Sequence, residues 1–251
     1  MPDVAKGVYV ASNYAYVADY EAGLRIVDVS DPTSPVEVGH YDRASAFQYA
    51  RDVFVTGHYA YIADRGLYIV DVSNPAAPTE AGYYNFYGYA NSVFVVGSYA
   101  YVCFGGLNVM DISNPGNPVL INDIYTPSDE RNVYVKDGYA YVVGDAGLHV
   151  VDVSDPANLT LTGNFYTAGH IVDVAIVGHY AYVADNSLVG IRIVDIADVA
   201  RPRETSFFYT ASSGCRRYLY CRKLRLCSRW QCGSVYSGYP RSRTSYGGKP
   251  L

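Results

Sequence analysis

The chain has 251 residues, 50% of them apolar, and a formal net charge of −5, which is enough to bury a sizeable core as one domain. No apolar run is long enough for a membrane-spanning helix, and the opening MPDVAKGVYV has no signal-peptide pattern. The charge averages two unlike segments. Met1–Thr210 holds 10 of the 19 Lys and Arg and all 24 Asp and Glu, a balance of −14, whereas Ala211–Leu251 holds 9 basic residues and no acid.

The opening residues run into a strand pattern almost at once, as expected of a cut into a longer chain. Val8–Ala11 is the first predicted strand, and the phrase YAYVADYEAGLRIVDVSDP follows at Tyr14–Pro32. The phrase returns as YAYIADRGLYIVDVSNP (Tyr59–Pro75), YAYVCFGGLNVMDISNP (Tyr99–Pro115), YAYVVGDAGLHVVDVSDP (Tyr139–Pro156) and YAYVADNSLVGIRIVDIADV (Tyr180–Val199). Its aspartates, Asp28, Asp71, Asp111, Asp152 and Asp195, are spaced by 43, 40, 41 and 43 residues. Such a period is the mark of a solenoid, propeller or array.

Within one repeat, four runs have strand length. In the second they are Asp52–Thr56, Tyr59–Ala63, Leu67–Val72 and Thr79–Tyr84. Gly57-His58 and Arg65-Gly66 are short enough for hairpin turns, and Ser73-Asn74-Pro75 stops the third run. No linker has room for a crossover helix. The spacing therefore predicts an all-β, propeller-like array of four-stranded antiparallel blades, at about 6–50, 51–90, 91–130, 131–170 and 171–210, with a disrupted sixth. In YAYVA the tyrosines share one face and the small residues share the other, as expected of sheets stacked face to face.

A sixth repeat is due near residue 212, but the chain reads CRRYLYCRKLRLCSRWQCGSVYSGY at Cys215–Tyr239. Back-translated and shifted by one nucleotide, one permitted codon choice gives ADVIYIAGNYAYVADGNAGLYIVDI. Residues 211–251 thus read as an out-of-frame sixth repeat, expected to be poorly ordered and to leave apolar faces that promote association. Cys215, Cys221, Cys227 and Cys232 lack the paired spacing of a zinc site, and the basic residues are weak evidence for nucleic acid.

Leu24-Arg25-Ile26-Val27-Asp28 and its later copies resemble the LVIVD repeat of bacterial and archaeal proteins, over roughly Lys6 to Tyr209. The resemblance implies a propeller-like fold, export or attachment to the cell surface, and neighbouring domains in a larger parent protein. It supplies no catalytic pattern to carry onto numbered residues. Cys103-Phe104 in the third copy and Asp198-Val199 in the fifth depart from the pattern.

The five recurrent aspartates are read as structural, each accepting backbone N–H bonds at a strand end; calcium there is the lesser alternative. The paired tyrosines of YAY are read as packing between blades. Tyr41, Phe47, Tyr49, Phe86, Tyr87 and Tyr89, in or beside the linkers, escape the repeat's packing demand and are the binding candidates. No metal site, cofactor or catalytic residue is assigned, and no phosphate loop, serine elbow or zinc-protease helix is present. The leading expectation is a non-enzymatic scaffold that presents its inter-blade loops to a protein or glycan partner. The alternative is a hydrolase or lyase working in a pocket on the propeller face, marked by acids and histidine within mutual reach.

Overall fold

The computed structural model describes residues 4–42, 49–167, 169–186 and 190–210. They form five four-stranded antiparallel sheets, each from one stretch of chain with its strands in sequence order. Sheet 1 holds β1 (Gly7–Ala11), β2 (Tyr14–Ala18), β3 (Leu24–Asp28) and β4 (Val36–Tyr41). Sheet 2 holds β5 (Asp52–Thr56), β6 (Tyr59–Ala63), β7 (Gly66–Asp71) and β8 (Thr79–Asn85). Sheet 3 holds β9 (Ser92–Val96), β10 (Tyr99–Cys103), β11 (Leu107–Asp111) and β12 (Val119–Ile124). Sheet 4 holds β13 (Glu130–Lys136), β14 (Tyr139–Gly144), β15 (Gly147–Asp152) and β16 (Thr160–Tyr166). Sheet 5 holds β17 (Ile171–Val177), β18 (Tyr180–Asp185), β19 (Gly190–Asp195) and β20 (Arg203–Tyr209).

The expected strands shift slightly. The first begins at Gly7 rather than Val8. The third strand of sheet 2 spans Gly66–Asp71 rather than Leu67–Val72, because Gly66 pairs with Asn85 while the Val72 amide turns back to the His58 carbonyl. The first hairpin turn of all five repeats begins on a residue in the left-handed region that glycine accepts readily: Gly57, Gly97, Gly178 and, in the first and fourth repeats, Ser12 at φ 52° and Asp137 at φ 51°.

Period-two alternation sorts each sheet into two faces. The forward face carries the second tyrosine of YAY and the leucine and Ile or Val of the third strand. The rear face carries alternate residues of the first strand, the alanine of YAY and the valine next to the aspartate. Four apolar clusters result, each joining a forward face to the next rear face. Tyr16, Leu24 and Ile26 meet Val53, Val55, Ala60, Ile62 and Val70. Tyr61, Leu67 and Ile69 meet Val93, Val95, Ala100, Val102 and Met110. Tyr101, Leu107 and Val109 meet Val133, Val135, Ala140, Val142 and Val151. Tyr141, Leu148 and Val150 meet Val174, Ile176, Ala181, Val183 and Val194.

The first strands of consecutive sheets lie beside one another, β1 on β5, β5 on β9, β9 on β13 and β13 on β17. The first strand is therefore the inner strand, and the fourth is the outer one. Each sheet also carries a bulge between its third and fourth strands, at Ile26/Val27, Ile69/Val70, Val109/Met110, Val150/Val151 and Ile193/Val194. Among the described residues no apolar cluster joins sheet 5 back to sheet 1. The expected out-of-frame repeat at 211–251 lies outside the described residues.

Candidate functional site

The recurrent aspartates act locally. Asp28, Asp71, Asp111, Asp152 and Asp195 each accept a hydrogen bond from the backbone amide two residues on, at 2.8–2.9 Å. Three residues further on, Asp31, Asn74, Asn114, Asp155 and Asp198 do the same at 2.9–3.2 Å. These are side-chain-closed turns, and both series are spent on the turns at one end of the array. Among the described residues, no group of three or more His, Cys, Asp or Glu is placed to hold a metal ion.

The polar residues that break the repeat gather where the inner strands begin. Pairing with Ala18, Ala63, Cys103, Val143 and Ala184 puts Gly7, Asp52, Ser92, Asn132 and Asp173 at one level. Directly before them in the chain stand Lys6, Arg51, Asn91, Arg131 and Val172. Since the inner strands lie side by side, these residues form a row across the sheets.

The row is hydrogen-bonded from one sheet to the next. Asp52 is buried; it accepts the Val53 amide on one oxygen, at 2.9 Å. Its other oxygen accepts the Ser92 hydroxyl at 2.7 Å and the Val93 amide at 3.1 Å. The Arg51 guanidinium donates to the Asn91 amide oxygen, and Asn91 Nδ2 donates to the Glu130 carbonyl at 2.7 Å. Arg131 Nε donates to Asp145 Oδ1 at 2.8 Å, and His170 Nδ1 lies 2.9 Å from the same oxygen. The Arg131 bond holds the Asp145 carboxyl below its ordinary range; burial opposes it, and the His170 contact adds a lesser lowering.

On the sheet 1–3 side the row is faced with aromatic rings. Tyr20 meets Tyr49 edge-on at 4.8 Å, and Tyr49 meets Tyr89 edge-on at 4.9 Å. Lys6 Nζ lies 5.1 Å from the Tyr20 ring, and the Arg51 and Arg65 guanidinium carbons lie 5.3 and 5.4 Å from the Tyr89 ring. These are cation–π distances. Behind Tyr49 is the buried Asp64, which accepts the Tyr49 amide at 2.8 Å and the Arg65 amide at 2.6 Å. Burial pushes its carboxyl up, opposed by those amides and by Arg65 and Arg51. Asp64 also lines a small cleft with Leu24, Tyr41 and Ala50. The arrangement offers cations, stacking rings and a histidine–carboxylate pair at one end of the inner strands.

The binding candidates separate. Tyr49 and Tyr89 belong to this cluster. Tyr41, at the end of β4, lines the Asp64 cleft, and its hydroxyl bonds to Glu80. Phe86 is buried at 5.0 Å from both Tyr84 and Phe104, a packing position. Tyr87 is 93% exposed, and its amide donates to Asn85 Oδ1. Phe47 lies outside the described residues. Lys6, Arg51, Arg65, Asn91 and Arg131 were not singled out in the sequence. Arg65 lies in the turn between β6 and β7; the signal of the other four is that the residue before the inner strand varies while the apolar pattern after it does not.

No curated protein matches the chain by sequence. Among solved structures the fold is similar to that of the computationally designed protein Ika8, with a TM-score of 0.63 at 10% identity over 81% of this chain and 61% of that one. The periplasmic gluconolactonase of Pseudomonas aeruginosa gives 0.68 at 12% identity, over 81% of this chain and 69% of that one. A putative 6-phosphogluconolactonase from Bacteroides fragilis gives 0.67 at 13%, over 79% and 68%. The chain thus spans about two thirds of the length of these structures. At these identities the likeness concerns the fold alone. The LVIVD repeat matches residues 4–43, 48–86, 87–126, 128–167 and 168–210, five times and once per sheet. The chain belongs to the LVIVD repeat family.

Proposed function

We propose that the end of the array where the inner strands begin is a hydrolytic site for a small, hydroxyl-rich cyclic ester such as a sugar lactone. The observation that carries this reading is the His170–Asp145–Arg131 cluster, at 2.9 and 2.8 Å, in line with Asn91, Arg51 and Lys6. Asp145 orients His170 through Nδ1, and the imidazole acts as the base that takes a proton from water. The water oxygen adds to the ester carbonyl, the ring C–O bond breaks, and the imidazolium returns its proton to the departing alkoxide. Arg131 supplies positive charge beside the developing oxyanion. Tyr89 and Tyr49 offer ring faces and edges to the sugar, and Arg51 and Lys6 offer charge to its oxygens. The fold shared with the Pseudomonas aeruginosa gluconolactonase and the Bacteroides fragilis protein supports the reading, since ligand sites recur where several elements converge.

A second reading keeps the array as a scaffold that presents inter-sheet loops to a protein or glycan outside the cytoplasm. The 93% exposure of Tyr87 in such a loop favours it. The two are separated by following acid release from δ-gluconolactone, corrected for spontaneous opening, with the full chain and with His170→Gln. The hydrolytic reading expects a loss of about 100-fold or more in the variant. A rate equal to the spontaneous one, or one untouched by the substitution, leaves the scaffold reading.

A further inference from the structure

Every described interface joins a forward face to a rear face, and one face of each kind is left over. On the rear face of sheet 1, Val10 is 57% exposed, whereas Val55, Val95, Val135 and Ile176 at the same position are 5–7% exposed. Ala15, Val17 and Val27 are likewise only half-buried where their counterparts are fully covered. On the forward face of sheet 5, Tyr182, Ile191 and Ile193 are half-buried. Their counterparts Tyr61, Leu67 and Ile69 in sheet 2 are buried, and the same holds in sheets 1, 3 and 4.

We infer that these two faces are the walls of a slot for one more four-stranded sheet, and that its occupant is a sixth copy of this repeat. Continuity with the four existing interfaces argues for that occupant: such a sheet presents a rear face to Tyr182, Ile191 and Ile193, and a forward face to Val10, Ala15 and Val17. The sequence argues for it independently. Back-translated and read one nucleotide out of frame, Cys215–Tyr239 gives, by one permitted codon choice, ADVIYIAGNYAYVADGNAGLYIVDI, which has the inner strand, YAYVAD, GL and IVDI in order. Its IVDI aspartate then falls 43 residues after Asp195, inside the 40–43 range of the other steps. The aspartate at its second position falls level with Lys6, Arg51, Asn91 and Arg131, so the sixth sheet also adds a carboxylate to the polar row. Terminal repeats without closure leave apolar surface that a matching repeat covers at no new design cost.

The test replaces Cys215–Tyr239 of the full chain with the recovered string and, in a second variant, replaces 211–251 with a copy of 131–170. Each is compared with the unaltered chain by sedimentation and thermal unfolding, with and without Val10→Asp. The slot predicts that at least one six-sheet chain is a monomer with Tm raised by about 5 °C or more. Val10→Asp then lowers that Tm by a similar amount while leaving the unaltered chain within about 1 °C. The inference is overturned if neither six-sheet chain gains Tm, or if Val10→Asp acts equally in both backgrounds. It is also overturned if the unaltered chain forms a dimer that Val10→Asp dissolves and a sixth repeat does not, because a second copy then fills the slot.

Discussion

A Cβ built on Gly82 would fall 2.0 Å from the carbonyl oxygen of Pro115, in the turn of the next sheet. The same contact recurs between Gly39 and Pro75 and between Gly163 and Val199, at 2.1 and 2.0 Å. In sheet 3 the position is Asn122, which instead donates to the Ala157 carbonyl at 2.8 Å. The Asx-Pro turn of one repeat is thus seated on the outer strand of the repeat before it. Local turn chemistry and inter-sheet packing meet at one point.

Gly82→Ala is expected to cost about 1–3 kcal/mol in urea unfolding, because backbone rather than a flexible side chain must give way. Gly116→Ala, whose Cβ would find its nearest neighbour at 3.5 Å, is the control and should change little. Equal effects at the two positions would remove the seat as a source of stability.

Asp52 bridges sheets 2 and 3 through Ser92 and Val93. Asp52→Ala takes the acceptor away from one hydroxyl and two amides, and should destabilise by about 3 kcal/mol. Ser92→Ala removes only one bond and should cost about 1 kcal/mol. Both are read from the denaturant midpoint.

Acid should loosen the turns first. Asp28, Asp71, Asp111 and Asp152 all have carboxyls held below the ordinary 3.8. At Asp28 the Ser30 amide leads; at the other three the serine hydroxyl leads, followed by its amide. Their folded values lie below the unfolded one, so the stabilisation is full above the unfolded value and is lost as pH falls through the folded values. The urea midpoint should therefore drop below about pH 4, and changing all four to Asn should flatten that drop.

Tyr89 carries two guanidinium groups over its ring. Tyr89→Leu keeps apolar bulk and removes the π face, and should weaken gluconate binding by about 10-fold in calorimetry with Tm little changed. Tyr87→Leu, in the same linker and exposed, should leave gluconate binding as it was.

Much of the fold was legible because the repeat writes each strand's period and each turn's chemistry five times over. YAYVA gave both faces of the second strand, and Gly57-His58 gave its hairpin. Closure was not legible in the same way, since it depends on residues whose counterparts are missing. The site was harder to see because it consists of the positions where the repeat falls silent. Arg51, Asn91 and Arg131 belong to no motif along the chain, and only adjacent inner strands make a row of them. Tyr49 and Tyr89 stood out as linker aromatics, but so did Phe86, which lies beside Phe104 in the core. Nothing local in the linker distinguishes a ring facing a cation from one facing a neighbouring phenyl.

Hydrogen–deuterium exchange of the full chain with and without saturating gluconate tests the location of the site most directly. Protection should rise at 49–52, 89–92 and 129–131, where the inner strands begin, and in the turn at 64–66. Protection confined to the Asx-Pro turns at 31–34, 74–77 and 114–117, or none anywhere, would contradict the assignment.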